Sequence, residues 1–248
     1  MILALLACGP KPEPAPPTFD QLCRDAYGDF DDDLLADHVA GIRDFLSDGE
    51  HEEPEGWGVD TLDEDDVAGL ERPDRSLADA PGAAAQAPSP HGLDSHVALV
   101  MLADQSVVGS NYEKFERTFL EGEACFADGG CDLLRTWNDI VKDTLGVRLP
   151  YAYEKDYRRV GDDAVAARGW VAEEAFSDDG SSAIHQSFNL DLFYEDGGGV
   201  RRLQVQWAEL DLGAVSDVAS EEQLLDLSVD SLLGVFEDTD EAIEELGL

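Results

Sequence analysis

After Gly146 the hydrophobic period of this chain falls from about 3.6 residues to 2, which constrains the fold more than any other feature. Val147, Leu149, Tyr151 and Tyr153 alternate with Arg148, Pro150 and Ala152. Val165, Ala167, Gly169 and Val171 alternate with Arg168 and Trp170, Phe188, Leu190 and Leu192 with Asn189 and Asp191, and Leu203, Val205 and Trp207 with Arg202, Gln204 and Gln206. Turn residues separate these runs at Gly161-Asp162-Asp163, Asp178-Asp179-Gly180 and Asp196-Gly197-Gly198-Gly199. Four alternating runs with short connections predict an antiparallel meander with one wet face.

The remainder reads mostly as helix. Thr18-Phe19-Asp20-Gln21 has the T-x-x-Q form of a capping box, and Leu34, Leu35, Val39, Ile42, Phe45 and Leu46 recur at three- and four-residue steps, so 33–47 forms an amphipathic helix with Gly49 at its stop. Residues 50–66 are intensely acidic around a small island at Trp57 and Val59, and 73–90 are an Ala/Pro/Gly/Ser mixture, so 68–92 reads as a linker or long loop. The apolar run Val97–Leu102 suits a buried strand, with a helix as the alternative. Tyr112, Phe115, Phe119 and Leu120 mark a helix leading to Cys125, and Leu133, Leu134, Trp137, Ile140 and Val141 a second from Cys131 to about Asp143. A last helix spans about 220–236. The expected fold is α+β: an N-terminal helical segment, then two helices packed on an antiparallel β-meander with a C-terminal helix. The expected divisions are 1–7, 8–17, 18–49, a linker at 50–92 and an α+β domain at 93–248.

The order strand, two helices, antiparallel strands, C-terminal helix over about 95–240 resembles the helix-grip arrangement of START-like lipid-binding domains. That resemblance implies a curved sheet wrapped around the last helix and an apolar cavity between them, with two strands fewer here than the family normally has.

Leu5-Leu6-Ala7-Cys8 follows a short apolar leader and resembles the lipobox of bacterial lipoproteins. The resemblance implies a truncated signal peptide at 1–7 and lipid on Cys8; Lys11–Pro17, rich in proline, would be a stiff tether. Seven apolar residues are too few to span a bilayer, which takes ~20. In an oxidising envelope compartment, Cys125 and Cys131 are expected to bridge across Phe126-Ala127-Asp128-Gly129-Gly130, leaving Cys23 buried or reactive.

Catalytic motifs are missing. There is no G-x-S-x-G elbow and no phosphate loop, since Gly197-Gly198-Gly199 lacks a following Lys-Ser/Thr. His91 and His96 have the wrong spacing for one helix face, and Asp63–Ala68 fails the calcium-loop pattern at Val67 and Ala68. No catalytic residue, metal site or cofactor is assigned. Tyr151, Tyr153, Arg168, Trp170, Arg202 and Trp207 are the candidate ligand residues, a cluster of cations and aromatics inside the meander. The competing and favoured reading is cross-strand charge pairing with Glu154, Asp156, Glu173 and Glu209.

Sixteen Lys plus Arg face 56 Asp plus Glu, a formal charge of −40. Such a chain cannot neutralise phosphates, so nucleic acid is excluded as a partner, as is direct adsorption to anionic headgroups. The expected function is therefore a cell-envelope lipoprotein, periplasmic or surface-exposed, held to the membrane through lipid on Cys8. Its domain would be a non-catalytic binding or interaction module for an unknown protein. The alternative is a carrier of a lipid or other apolar small molecule between sheet and C-terminal helix. No Lys or Arg follows Arg202, and Lys occurs only at 11, 114, 142 and 155. Self-repulsion of this size destabilises a compact state unless counterions screen it, which points to a saline exterior. The melting temperature is expected to rise between low and molar NaCl in a thermal scan; a flat or falling response refutes that reading.

Overall fold

In the computed structural model, residues 17–47, 51, 53–109, 111–144, 147–213 and 219–248 are described. Cys8, most of the Pro-rich stretch and Gly49 lie outside them. The architecture is α+β: two N-terminal helices, α1 (Phe19–Gly28) and α2 (Leu35–Leu46), one nine-stranded antiparallel sheet, a short helix α3 (Leu93–Val100) and the long C-terminal α4 (Glu221–Leu246). The strands are β1 (Glu55–Val59), β2 (Gly82–Ser89), β3 (Tyr112–Glu121), β4 (Leu133–Thr144), β5 (Val147–Val160), β6 (Ala164–Trp170), β7 (Ala175–Phe176), β8 (Ala183–Asp196) and β9 (Gly199–Asp211). They run in the order β1-β2-β9-β8-β6-β5-β4-β3, with β7 paired to β8. The four expected meander strands are β5, β6, β8 and β9, lying side by side.

Period-2 alternation gives the sheet two different faces. On the outer face Phe188, Leu190, Leu192, Leu203, Val205 and Trp207 meet Leu22, Tyr27, Val39 and Ile42 from α1 and α2, forming the largest apolar core. The Thr18 hydroxyl accepts from the Gln21 amide and caps α1 as expected. Cys23 is fully buried here, and burial raises its thiol well above the usual range, so it is inert.

On the inner face α4 lies against β1 and β2. Ala83, Ala85 and Ala87 pack on Leu232 and Phe236. A methyl group on Gly56 or Gly58 would strike Val229 or Leu225. Ser220 and Gln223 form a full capping box at the α4 N-terminus, and Gly247 ends the helix in the left-handed conformation.

Three expectations are corrected. The Ala/Pro-rich stretch is not a linker: it contributes β2, paired on both sides, while the Trp57–Val59 island is part of β1. A strand pressed closely by a helix needs small side chains, and alanine makes such a strand resemble a loop in composition. Residues 112–121 and 133–144 are strands, not helices, and the disulfide Cys125–Cys131, Cα–Cα 5.4 Å, closes the β3–β4 connection. A register shift between Tyr112 and Lys114 brings Tyr112 and Phe115 to the same side, which gives a strand helix-like apolar spacing. Finally, Val97–Leu102 belongs mainly to α3, whose Leu93 and Val97 at i,i+4 pack under the sheet beside Tyr157 and Val165.

Candidate functional site

The inner face differs chemically from the outer one. Register places Tyr157, Ala167, Asp191, Gln204, Ala85 and Gly56 in one row across the sheet. The neighbouring row is Thr136, Lys155, Gly169, Asn189, Gln206 and Ala83. β6 supplies only Ala167 and Gly169 at these levels, so side chains from β5 and β8 meet above it. Lys155 Nζ reaches Asp191 Oδ2 at 2.5 Å and lies 5.4 Å from the Tyr157 ring centre.

Arg117 of β3 reaches the same cluster. It donates to Asn138 Oδ1 at 2.9 Å, to the Tyr157 hydroxyl at 2.8 Å and to the Val100 carbonyl. These acceptors are all neutral. Burial pulls the guanidinium below its ordinary value, but arginine remains charged in proteins. Burial also opposes the charge on Lys155, yet Asp191 and Tyr157 outweigh it and hold the ammonium above the usual lysine range. Asn138 and Thr136 complete the polar floor, Asn138 Nδ2 donating to the Tyr153 carbonyl at 3.0 Å and Thr136 to the Lys155 carbonyl at 2.9 Å.

These groups lie on a part of the inner face that is incompletely covered. Burial dominates the surroundings of Tyr151, Tyr153 and Lys155 and pushes both phenols up. Nevertheless none of the three is fully buried, and 17% of the Lys155 side chain remains accessible. The Tyr153 hydroxyl is buried with no hydrogen-bond partner among the described residues. At one end α3 covers Tyr157, Val165 and Ala167. At the other, Tyr151 and Tyr153 pack with Leu149, Val171, Ala175 and Ile184.

The structure divides the six candidate ligand residues. Tyr151 and Tyr153 lie on this inner face. Arg168, Trp170 and Trp207 are on the outer face. Arg168 donates to Asp31 at 2.8 Å and lies over Phe30 and Trp170, while Trp207 donates to the Asp60 carbonyl at 2.8 Å. Arg202 is on the inner side, but its two terminal nitrogens are held by Asp240 (2.9 Å to each oxygen), the Phe236 carbonyl at 2.9 Å and the Pro88 carbonyl at 3.1 Å. Lys155 is one of the meander cations that the sequence offers beside these rings, whereas Asp191 and Arg117 escape it because a charged residue at an inward position of a strand looks like surface in a sequence.

Elsewhere, a pocket of about 380 Å³ beside the disulfide is walled by Asp31, Glu121, Asp132 and Arg158. An open acidic concavity of about 450 Å³ is formed by residues 28–33. The first also has Leu133 and the Cys125–Cys131 bridge in its wall, whereas the second is lined by aspartates and Gly28. Among the described residues no three His, Cys, Asp or Glu side chains converge as a metal set.

No family model matches the chain, and no curated protein does. Among solved structures it is similar to TTHA0849 from Thermus thermophilus, at 14% identity and TM-score 0.49, covering 68% of this chain and all of that one. It is also similar to a STAR-related lipid transfer protein from Xanthomonas axonopodis (11%, 0.49, 78% and 94%). Human StAR-related lipid transfer protein 5 gives 8%, 0.45, 87% and 97%. These are likenesses of backbone arrangement, and the site is read from its own residues.

Arg202 belongs to a latch fixing α4. Ser89 donates to Asp240 at 2.7 Å, and His96 Nε2 lies 3.1 Å from the Ser89 hydroxyl, its ring stacked on Phe193. Burial, then Arg202, lowers the His96 pKa to about 4 against the opposing pull of Asp240. The unfolded chain protonates near 6.5, so the stability that neutral His96 supports is complete above that pH and is lost as pH falls towards 4. Urea unfolding of wild type and His96→Gln in molar NaCl should differ by roughly 3 kcal/mol less at pH 4 than at pH 7. A difference independent of pH would show that His96 does not titrate there.

Proposed function

We propose that this protein is a carrier holding a small amphipathic molecule between the inner face of its sheet and α4. The observation that carries this reading is the incomplete cover on Tyr151, Tyr153 and Lys155 in the middle of the inner face. A filled interaction module would have packed those side chains against its last helix. Instead, α4 makes its apolar contacts with β1 and β2 at one end, and with Leu99 of α3 and Val108 through Ala242 and Ile243 at the other. Aromatic rings and alanine methyls provide apolar wall, and Gln204, Gln206 and Asn189 provide orienting polar groups. The structural neighbours whose names include lipid transfer lend no residue-level support and are not needed for the argument from these side chains.

The test is to fill the proposed space. Gln204→Trp should weaken binding of a fluorescent fatty-acid probe at least about tenfold while leaving circular dichroism unchanged, since the partly accessible Gln204 leaves room for a larger ring. Wild-type affinity in that variant would place the probe elsewhere and end the reading.

The carrier is further proposed to be tethered at a cell-envelope membrane through Cys8, on the strength of Leu5-Leu6-Ala7-Cys8 and the prolines after it. No described helix is long and apolar enough to cross a membrane. Mass spectrometry of protein expressed from its own gene should find an N-terminal diacylglyceryl cysteine at Cys8; an unmodified Cys8 defeats the tether.

A further inference from the structure

We infer that the interior site selects an anionic amphiphile, a long-chain carboxylate or its phosphate counterpart, with Lys155 and the Tyr153 hydroxyl receiving the head group and Arg117 supplying the excess positive charge. The inference rests on the carrier reading and names its ligand class.

Three observations support it. First, the interior cluster contains two cations and one carboxylate. Lys155 faces Asp191 at 2.5 Å, whereas Arg117 is held by the neutral Asn138, Tyr157 and Val100. In a chain of net charge −40, most arginines are bound by carboxylates, as Arg168 is by Asp31 and Arg202 by Asp240. A buried guanidinium among neutral acceptors leaves local positive charge where solvation is poor.

Second, Lys155 has donor capacity to spare. An ammonium has three N–H bonds, and the ion pair with Asp191 occupies one direction. Part of its side chain remains accessible.

Third, the Tyr153 hydroxyl is a buried donor without an acceptor among the described residues, on the same strand and face two residues from Lys155. A head-group oxygen between them would satisfy both. An alcohol or ester would satisfy the hydroxyl but leave the excess charge uncompensated. An amine would find Asp191 already taken and Arg117 repulsive.

The experiment is isothermal titration calorimetry of the delipidated full chain in molar NaCl at neutral pH, with dodecanoate, dodecanol and dodecylammonium as probes. Dodecyl phosphate separates the two head groups. Dodecanoate or dodecyl phosphate should bind one to one and at least about tenfold tighter than dodecanol, with dodecylammonium weakest. In the double variant Lys155→Met/Asp191→Leu, which exchanges the buried pair for apolar groups of similar size, the preference for the anions over dodecanol should shrink. Equal binding of the anions and dodecanol by the wild-type chain overturns the anion selectivity and leaves the carrier standing. Tightest binding of dodecylammonium overturns it in favour of Asp191 as the determinant. Failure of all four probes to bind defeats the carrier reading itself. The wild-type ranking decides the matter even if the double variant does not fold.

Discussion

The placement of α4 governs the inner side of this molecule. The helix can touch the sheet closely only where side chains are small, and Gly56, Gly58, Ala83, Ala85 and Ala87 offer that surface on β1 and β2. The Arg202–Asp240 pair, with Ser89 and His96 behind it, fixes the helix lengthwise to β9, β2 and α3. α4 is thus anchored along one edge of the sheet and at α3, while Tyr151, Tyr153 and Lys155 on β5 stay incompletely covered. Tight packing at the edge and looser cover at the centre are two results of one distribution of side-chain volume.

The same distribution separates stability from function. Apolar burial is concentrated on the outer face, where α1 and α2 cover Phe188, Leu190, Leu192, Val205 and Trp207. Arg168 is enclosed there by Phe30, Trp170 and Asp31 and acts as packing as much as charge. Because that face supplies most of the hydrophobic stabilisation, the inner face is free to keep polar groups that a purely structural core would exclude. Replacing a buried ion pair by well-packed apolar side chains is often neutral or stabilising. Lys155–Asp191 therefore needs a reason other than stability, and recognition of a charged molecule is such a reason.

Half of this arrangement is legible in the sequence. Strands β5, β6, β8 and β9, helices α1, α2 and α4 and the Cys125–Cys131 bridge follow from period, capping residues and loop chemistry. β2 does not, because Ala83–Ala87 carry no hydrophobic bulk and only the presence of α4 explains their size. β3 and β4 do not, because Arg117, Thr136 and Asn138 occupy inward positions and break the alternation expected of a half-buried strand. Those residues belong to the candidate site. The polar interior hides β3 and β4 and their use, so Tyr151, Tyr153 and Lys155 are legible as residues of the expected meander while Arg117 and the inward place of Asp191 are not. Arg202 and Trp207 satisfied the same compositional pattern but are consumed by the latch and the outer core.

Surface charge and interior charge have opposite signs, and the opposition bears on how the site could work. At low ionic strength a field from −40 charges repels an anion long before it reaches Lys155. At physiological salt the Debye length is ~8 Å, and at molar salt ~3 Å, so the repulsion is confined to the immediate surface. The pairing inside is affected far less, because solvent ions do not penetrate a buried cluster. Salt thus removes the barrier to an anionic ligand and leaves its binding energy largely in place. A strongly acidic exterior is therefore compatible with the proposed anion-selecting interior in a saline medium, where excess acid outside and Arg117 among neutral acceptors inside do not oppose one another.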